Sequence, residues 1–177
     1  MSLRKHPNSF QGRTAYTAIF SPLLHQYDPE TRMSDISNLT QEIASGMAAF
    51  EAKEFAQAWR LLKPHAENGD AQAQHRLAIM CQNGLGMARN DLMAYKWMRS
   101  AAEQGYALAQ HGLGFMYLYG ECTEKNEKEA AKWFERAADQ GMVGSAMTLA
   151  MMYEQGQGIP KDEAAAKKWY ARAEGKN

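Results

Sequence analysis

The feature that most constrains this chain is a spacing of 36 residues. Trp97, Trp133 and Trp169 follow one another at that step, and so do Gly69, Gly105 and Gly141. Gly84, Gly120 and Gly156 keep the same phase, as do Leu77, Leu113 and Leu149, and Ala94, Ala130 and Ala166. A period of this length marks a stack of small supersecondary units, none of which can bury its apolar face alone.

One unit can be read physically. Residues 71–83 place Leu77, Ala78 and Cys81 on one helical face. The next units put Leu113, Gly114 and Tyr117, then Leu149, Ala150 and Tyr153, in the same roles. The small middle residue lets a neighbouring helix approach. A glycine-containing loop follows, suited to a helix end at positive φ. A second helix then opens at Asn90, Asn126 or Asp162, all good N-caps. Asn126 with Glu129 resembles a capping box. The second helix carries Ala94, Trp97, Met98 and Ala101 inward, with their mates one and two repeats on. The register runs back to a shorter unit with a first helix at about 39–51 and a second from Glu54 to Glu67. There Met47 and Phe50 are expected in the Ala78 and Cys81 roles. Pro64 is expected to kink or shorten the second helix.

These residues resemble the Sel-one-like repeat (SLR) family, a tetratricopeptide-like (TPR-like) group. Its pattern of small residues, Leu-Gly, Tyr and loop glycines, then a capped helix with Trp-Tyr and Ala-Ala, reads here as Ala107, Ala109, Leu113-Gly114, Tyr117 and Gly120, then Ala130, Trp133-Phe134, Ala137-Ala138 and Gly141. Cys81 departs from the pattern's Tyr, Cys122 from its second loop Gly, and Met98 follows Trp97. The resemblance covers about residues 71–174. It implies an all-α, α/α superhelix (solenoid) of helix-turn-helix repeats, used as an adaptor in signalling or complex assembly, with no catalytic residue. The chain divides accordingly into a tail 1–38, a TPR-like hairpin 39–70, and repeats 71–106, 107–142 and 143–177.

In TPR-like arrays the first helices line the concave side, which sets side chains in rows. One row is His75, His111 and Met147; a second is Ile79, Phe115 and Met151. Gln82, Leu118, Tyr119 and Gln155 lie farther along. Such rows are more apolar than core packing requires, and would suit a helix or extended peptide of another protein. Burial between adjacent first helices is the competing reading.

Other chemistries find little support. Lys+Arg and Asp+Glu are 20 each, so no basic field exists to hold a nucleic acid. No apolar run is long enough for membrane insertion. His75 and His111 are repeat mates, too far apart to share a zinc ion at about 2 Å from each. No cofactor or metal is expected. Cys81 and Cys122 are too few for a disulfide framework, and they lie out of phase in different repeats. A cysteine-rich secreted subset of the resembled family has been linked to β-lactam chemistry. The one Ser-x-x-Lys here, Ser2-Leu3-Arg4-Lys5, stands in the tail without a supporting motif. Hydrolase activity of that kind and a purely self-associating module stay open as alternatives to the adaptor reading.

The ends carry further expectations. Residues 1–27 hold Arg4, Lys5 and Arg13 but no acidic residue, a poor secretory signal and a weak organelle leader. Translation from Met33 is another reading; the expected setting is cytoplasmic. The last unit has no extra capping helix in the sequence. An end-to-end homodimer, tail exchange, or docking of the tail through Phe10, Tyr16, Ile19, Phe20, Leu23, Leu24 and Tyr27 would each cover it.

Overall fold

A computed structural model describes residues 29–175, with side chains from residue 37 onward. The residues of the expected tail docking, Phe10 to Tyr27, lie outside the described part. Among the described residues there are eight helices and no strand: α1 Pro29–Glu51, α2 Phe55–Glu67, α3 Ala71–Asn83, α4 Asp91–Glu103, α5 Ala107–Tyr119, α6 Glu127–Asp139, α7 Val143–Gln155 and α8 Glu163–Ala173. The chain forms two units, residues 1–39 and 40–177, and α1 begins in the first. In the second unit, α3 packs on α4, α5 on α6 and α7 on α8, and each pair meets the next through α4–α5 and α6–α7. This is the α/α solenoid arrangement of antiparallel hairpins.

The repeat sets the loop geometry as well as the helices. Gly84, Gly120 and Gly156 end α3, α5 and α7 in the left-handed region. The side chains of Asn90, Asn126 and Asp162 then accept from backbone N–H groups of the following helix. The backbone N–H of each cap donates back to the first helix, to the carbonyls of Cys81, Tyr117 and Tyr153 at 2.8–3.0 Å. For this reason the capping box at Asn126 is only half formed. Its N–H is already spent on Tyr117, and Glu129 turns instead to Lys132 at 2.6 Å.

A second ladder joins one repeat to the next. Gln74 Nε2 donates to the Ala66 carbonyl, and Gln110 Nε2 to that of Ala102, at 2.9 and 3.2 Å. Both glutamines are buried, and each adds a second donor to a helix-end carbonyl that already accepts the N–H of the glycine that follows, Gly69 or Gly105. Gln104 and Gln140 extend the ladder by donating to Gln74 and Gln110 at 2.8 and 2.7 Å.

The core contains a column the periodicity reading did not single out. Met80, Met116 and Met152 are fully buried and one repeat apart. At Gly114 a Cβ would come 2.7 Å from the Phe134 ring, so the small residue there does allow the close approach expected of it.

Three local expectations need correction. The first helix starts at Pro29, ten residues before the expected boundary at 39; proline is favoured at a first helical position, where its missing N–H costs nothing. In α1 the buried residues are Gly46 and Ala49, while Met47 and Phe50 are half-buried. The helix is therefore turned by one residue, and a Cβ at Gly46 would meet Leu62 at 2.6 Å. Pro64 does not shorten α2, which has 13 residues like α3 to α7. Pro64 and Arg60 are both exposed, so water can meet the carbonyl that the proline leaves free.

Candidate functional site

The face carried by α3, α5 and α7 separates into buried and accessible residues. Leu118 is buried in the cluster formed with Phe134, Leu149 and Met152, so it belongs to the core and not to the expected groove. His75 is also buried, against the edge of Tyr106 at 5.3 Å between ring centroids. Ile79 and Phe115 are half-buried; Ile79 leans on the core around Leu113, and Phe115 packs edge-on to Phe134 at 5.0 Å. Gln82 is half-buried and donates to Glu121 of the next loop at 3.0 Å. Three large apolar side chains of the expected set stand out to solvent. Tyr119 is 65% exposed, Met147 49% and Met151 43%. Gln155 is exposed beside them in sequence on α7. Tyr119 stacks on Phe115 with planes 8° apart and centroids 5.8 Å apart, which holds the phenol as a flat platform. The expected rows thus contract to a patch on α5 and α7, with Val143 an exposed apolar residue that the reading of the rows passed over.

The two histidines differ although they occupy one repeat position. His111 is half-buried, with Nδ1 2.7 Å from the hydroxyl of the fully buried Ser145. Burial lowers its pKa. His75 Nδ1 has no hydrogen-bond partner. The residue at the Ser145 position one repeat earlier is Ala109, which has no hydroxyl to offer. Burial, with the nearby Arg76 charge adding to it, pushes the His75 pKa down to about 4. A neutral imidazole in this place is a packing group. Among the described residues no group of three or more His, Cys, Asp or Glu side chains is placed to hold a metal ion. No described helix is long and apolar enough to cross a membrane. Cys81 and Cys122 are both free thiols. Cys122 donates to Asp91 at 3.5 Å, and its pKa is pushed up to about 11, first by burial and then by that carboxylate.

The model of the Sel1 repeat family matches residues 71–106, 107–142 and 145–174. Among solved structures, the chain is similar to a Sel1 repeat protein from Oxalobacter formigenes, with 33% identity and a TM-score of 0.72, over 76% of this chain and 55% of that one. It is also similar to a protective antigen present in uropathogenic Escherichia coli strains and displaying an SLR fold, with 30% identity and a TM-score of 0.74, over 82% of this chain and 32% of the antigen. The chain therefore spans about half the length of the first and a third of the second. The cysteine rich protein B of Helicobacter pylori shares the fold at 18% identity and a TM-score of 0.50, over 77% of this chain and 86% of that one. No curated protein matches significantly.

Proposed function

The chain belongs to the Sel1 repeat family, and on that premise we propose that it is a non-catalytic protein-binding module, an adaptor or scaffold, whose first-helix face takes an apolar helix or extended peptide of a partner. The observation that carries this reading is the exposed patch of Tyr119, Met147 and Met151. Scattered apolar residues are normal on a surface, but Met147 and Met151 stand one turn apart on one face of α7, and Tyr119 belongs to the preceding first helix, α5. Methionine adapts its shape to varied partners, and a stacked tyrosine gives a rigid platform at little entropic cost. Phe115 stacks on Tyr119 and His111 packs edge-on to Phe115, while Gln155 offers a polar group one turn beyond Met151. The reading carries a cytoplasmic setting, in which the free thiols of Cys81 and Cys122 stay reduced.

An affinity pull-down from source-cell extract tests it, with wild type compared with Met147→Glu/Met151→Glu. Both side chains are exposed, so the variant keeps its fold, as a matching thermal unfolding curve would check. A protein held by wild type and lost by the variant supports the reading. A protein held equally by both, or self-association as the only interaction, contradicts it.

A further inference from the structure

The second helices offer an independent site. Trp133 lies under the guanidinium of Arg136, 4.5 Å from its ring centroid, and Trp169 lies under that of Arg172 at 5.0 Å. Each arginine stands three residues after its tryptophan. Both of these tryptophans are buried, at 8% and 9% exposure. Trp97 holds the same position in α4, but Ser100 stands where the arginine would be. Trp97 is only half-buried, and a cavity of about 330 Å³ opens over it, lined by Met93, Lys96, Trp97 and Ser100.

We propose that the uncovered Trp97 ring is a cation–π subsite, and that its occupant is an arginine side chain of a partner protein, taking in trans the place that Arg136 and Arg172 take in cis. The charge around the site fits. Arg172 reaches Asp139 of the preceding second helix at 2.7 Å. The residue two repeats before Asp139 is Asn68's neighbour Glu67, which gives α2 a carboxylate at the matching register for a guanidinium over Trp97. Glu67 is exposed and has only a 3.5 Å contact with Lys63 to give up. Lys96 is a cation in the lining, but Lys132 and Lys168 stand at the same position beside the two filled sites. Arginine suits the site better than lysine because its plane stacks on an indole and is less strongly hydrated.

The test uses the full chain and the indole N–H resonance of Trp97 in a nitrogen–proton correlation spectrum, assigned with Trp97→Phe. The probes are N-acetyl-arginine amide, its neutral isostere N-acetyl-citrulline amide, and N-acetyl-norleucine amide. A saturable shift of the Trp97 indole with the arginine probe, at least about tenfold weaker with the other two and abolished by Ser100→Arg, is the expected result. Ser100→Arg should also raise the unfolding temperature, as a side chain filling its site in cis would. Equal binding of citrulline or norleucine overturns the proposal, because shape or apolarity would then suffice. So does a shift that survives in Ser100→Arg, the absence of any shift, or a Trp97 resonance that moves with protein concentration alone, which would give the site to a second copy of the chain. These outcomes are separate from the fate of the Met147 and Met151 patch, which is on the other helix of each hairpin.

Discussion

At the residue scale, the repeats act as internal controls for one another. His75 and His111 share a position, and the hydroxyl of Ser145 decides whether the ring nitrogen is paired. Ala109→Ser should therefore give His75 Nδ1 a partner and stabilise the fold by about 1 kcal/mol, read as a higher urea midpoint at unchanged slope. Ser145→Ala should do the reverse at His111. The sign of the pH effect follows from the same burial. A folded-state pKa near 4, against 6.5 when exposed, means the unfolded chain takes up a proton first as pH falls. The stability this group provides is full above pH 6.5 and is lost down to about pH 4, on the order of 3 kcal/mol. His75→Met, which installs the residue found two repeats later, should flatten that part of the stability profile. An unchanged profile would show that carboxylates alone cause the acid loss. Cys122 is a second such control. It sits at φ 59° where Gly86 and Gly158 have 74° and 71°. Cys122→Gly should relieve the left-handed backbone and raise stability by about 0.5–1 kcal/mol, less whatever the thiol bond to Asp91 contributes. The sequence named Cys122 as a replacement for glycine, but the pairing of His75 depends on Ala109, a residue whose role appears only when two helices are packed.

At the element scale, the hairpin was legible because each of its parts has a one-dimensional signal. The cap residues Asn90, Asn126 and Asp162, the terminal glycines and the Leu77 column all repeat in phase, and each forms the element it predicts. What stayed hidden were choices between neighbouring faces. Met80 and Ile79 are both apolar, and periodicity could not say that Met80 faces the core while Ile79 stays half-accessible. In α1 the same ambiguity misplaced the inward face by one residue, because Gly46 carries no hydrophobic signal even though it packs so near Leu62 that a Cβ would not fit. Helix contact distance also yields a prediction. Gly114→Ala should force Phe134 to move and cost about 1–3 kcal/mol, whereas an alanine already stands at the equivalent Ala78 and Ala150. Gln110→Leu should cost about 1–2 kcal/mol by removing both its bond to the Ala102 carbonyl and the one it accepts from Gln140, measured by chemical unfolding.

At the scale of the whole molecule, the repeat explains why a scaffold can be read from sequence more fully than its ligand. The scaffold residues are those that recur, since stacking demands the same contacts at every step. The residues we propose for binding are those that differ between repeats: Met147 where His75 and His111 stand, Met151 where Ile79 and Phe115 stand, Ser100 where two arginines stand. Periodicity finds the positions, but burial decides which of them a partner can touch, and it removed His75 and Leu118 from the expected rows. The most direct test of the central claim, that the α5–α7 face holds a protein ligand, is site-specific photo-crosslinking in cell extract. A photoreactive side chain is placed either at Met151 or at the exposed Lys168 on α8. A protein ligand on this face would give one discrete adduct from position 151, suppressed by Met147→Glu, and none of that mass from position 168; an adduct from position 168 with none from 151 would put the ligand on the second helices instead.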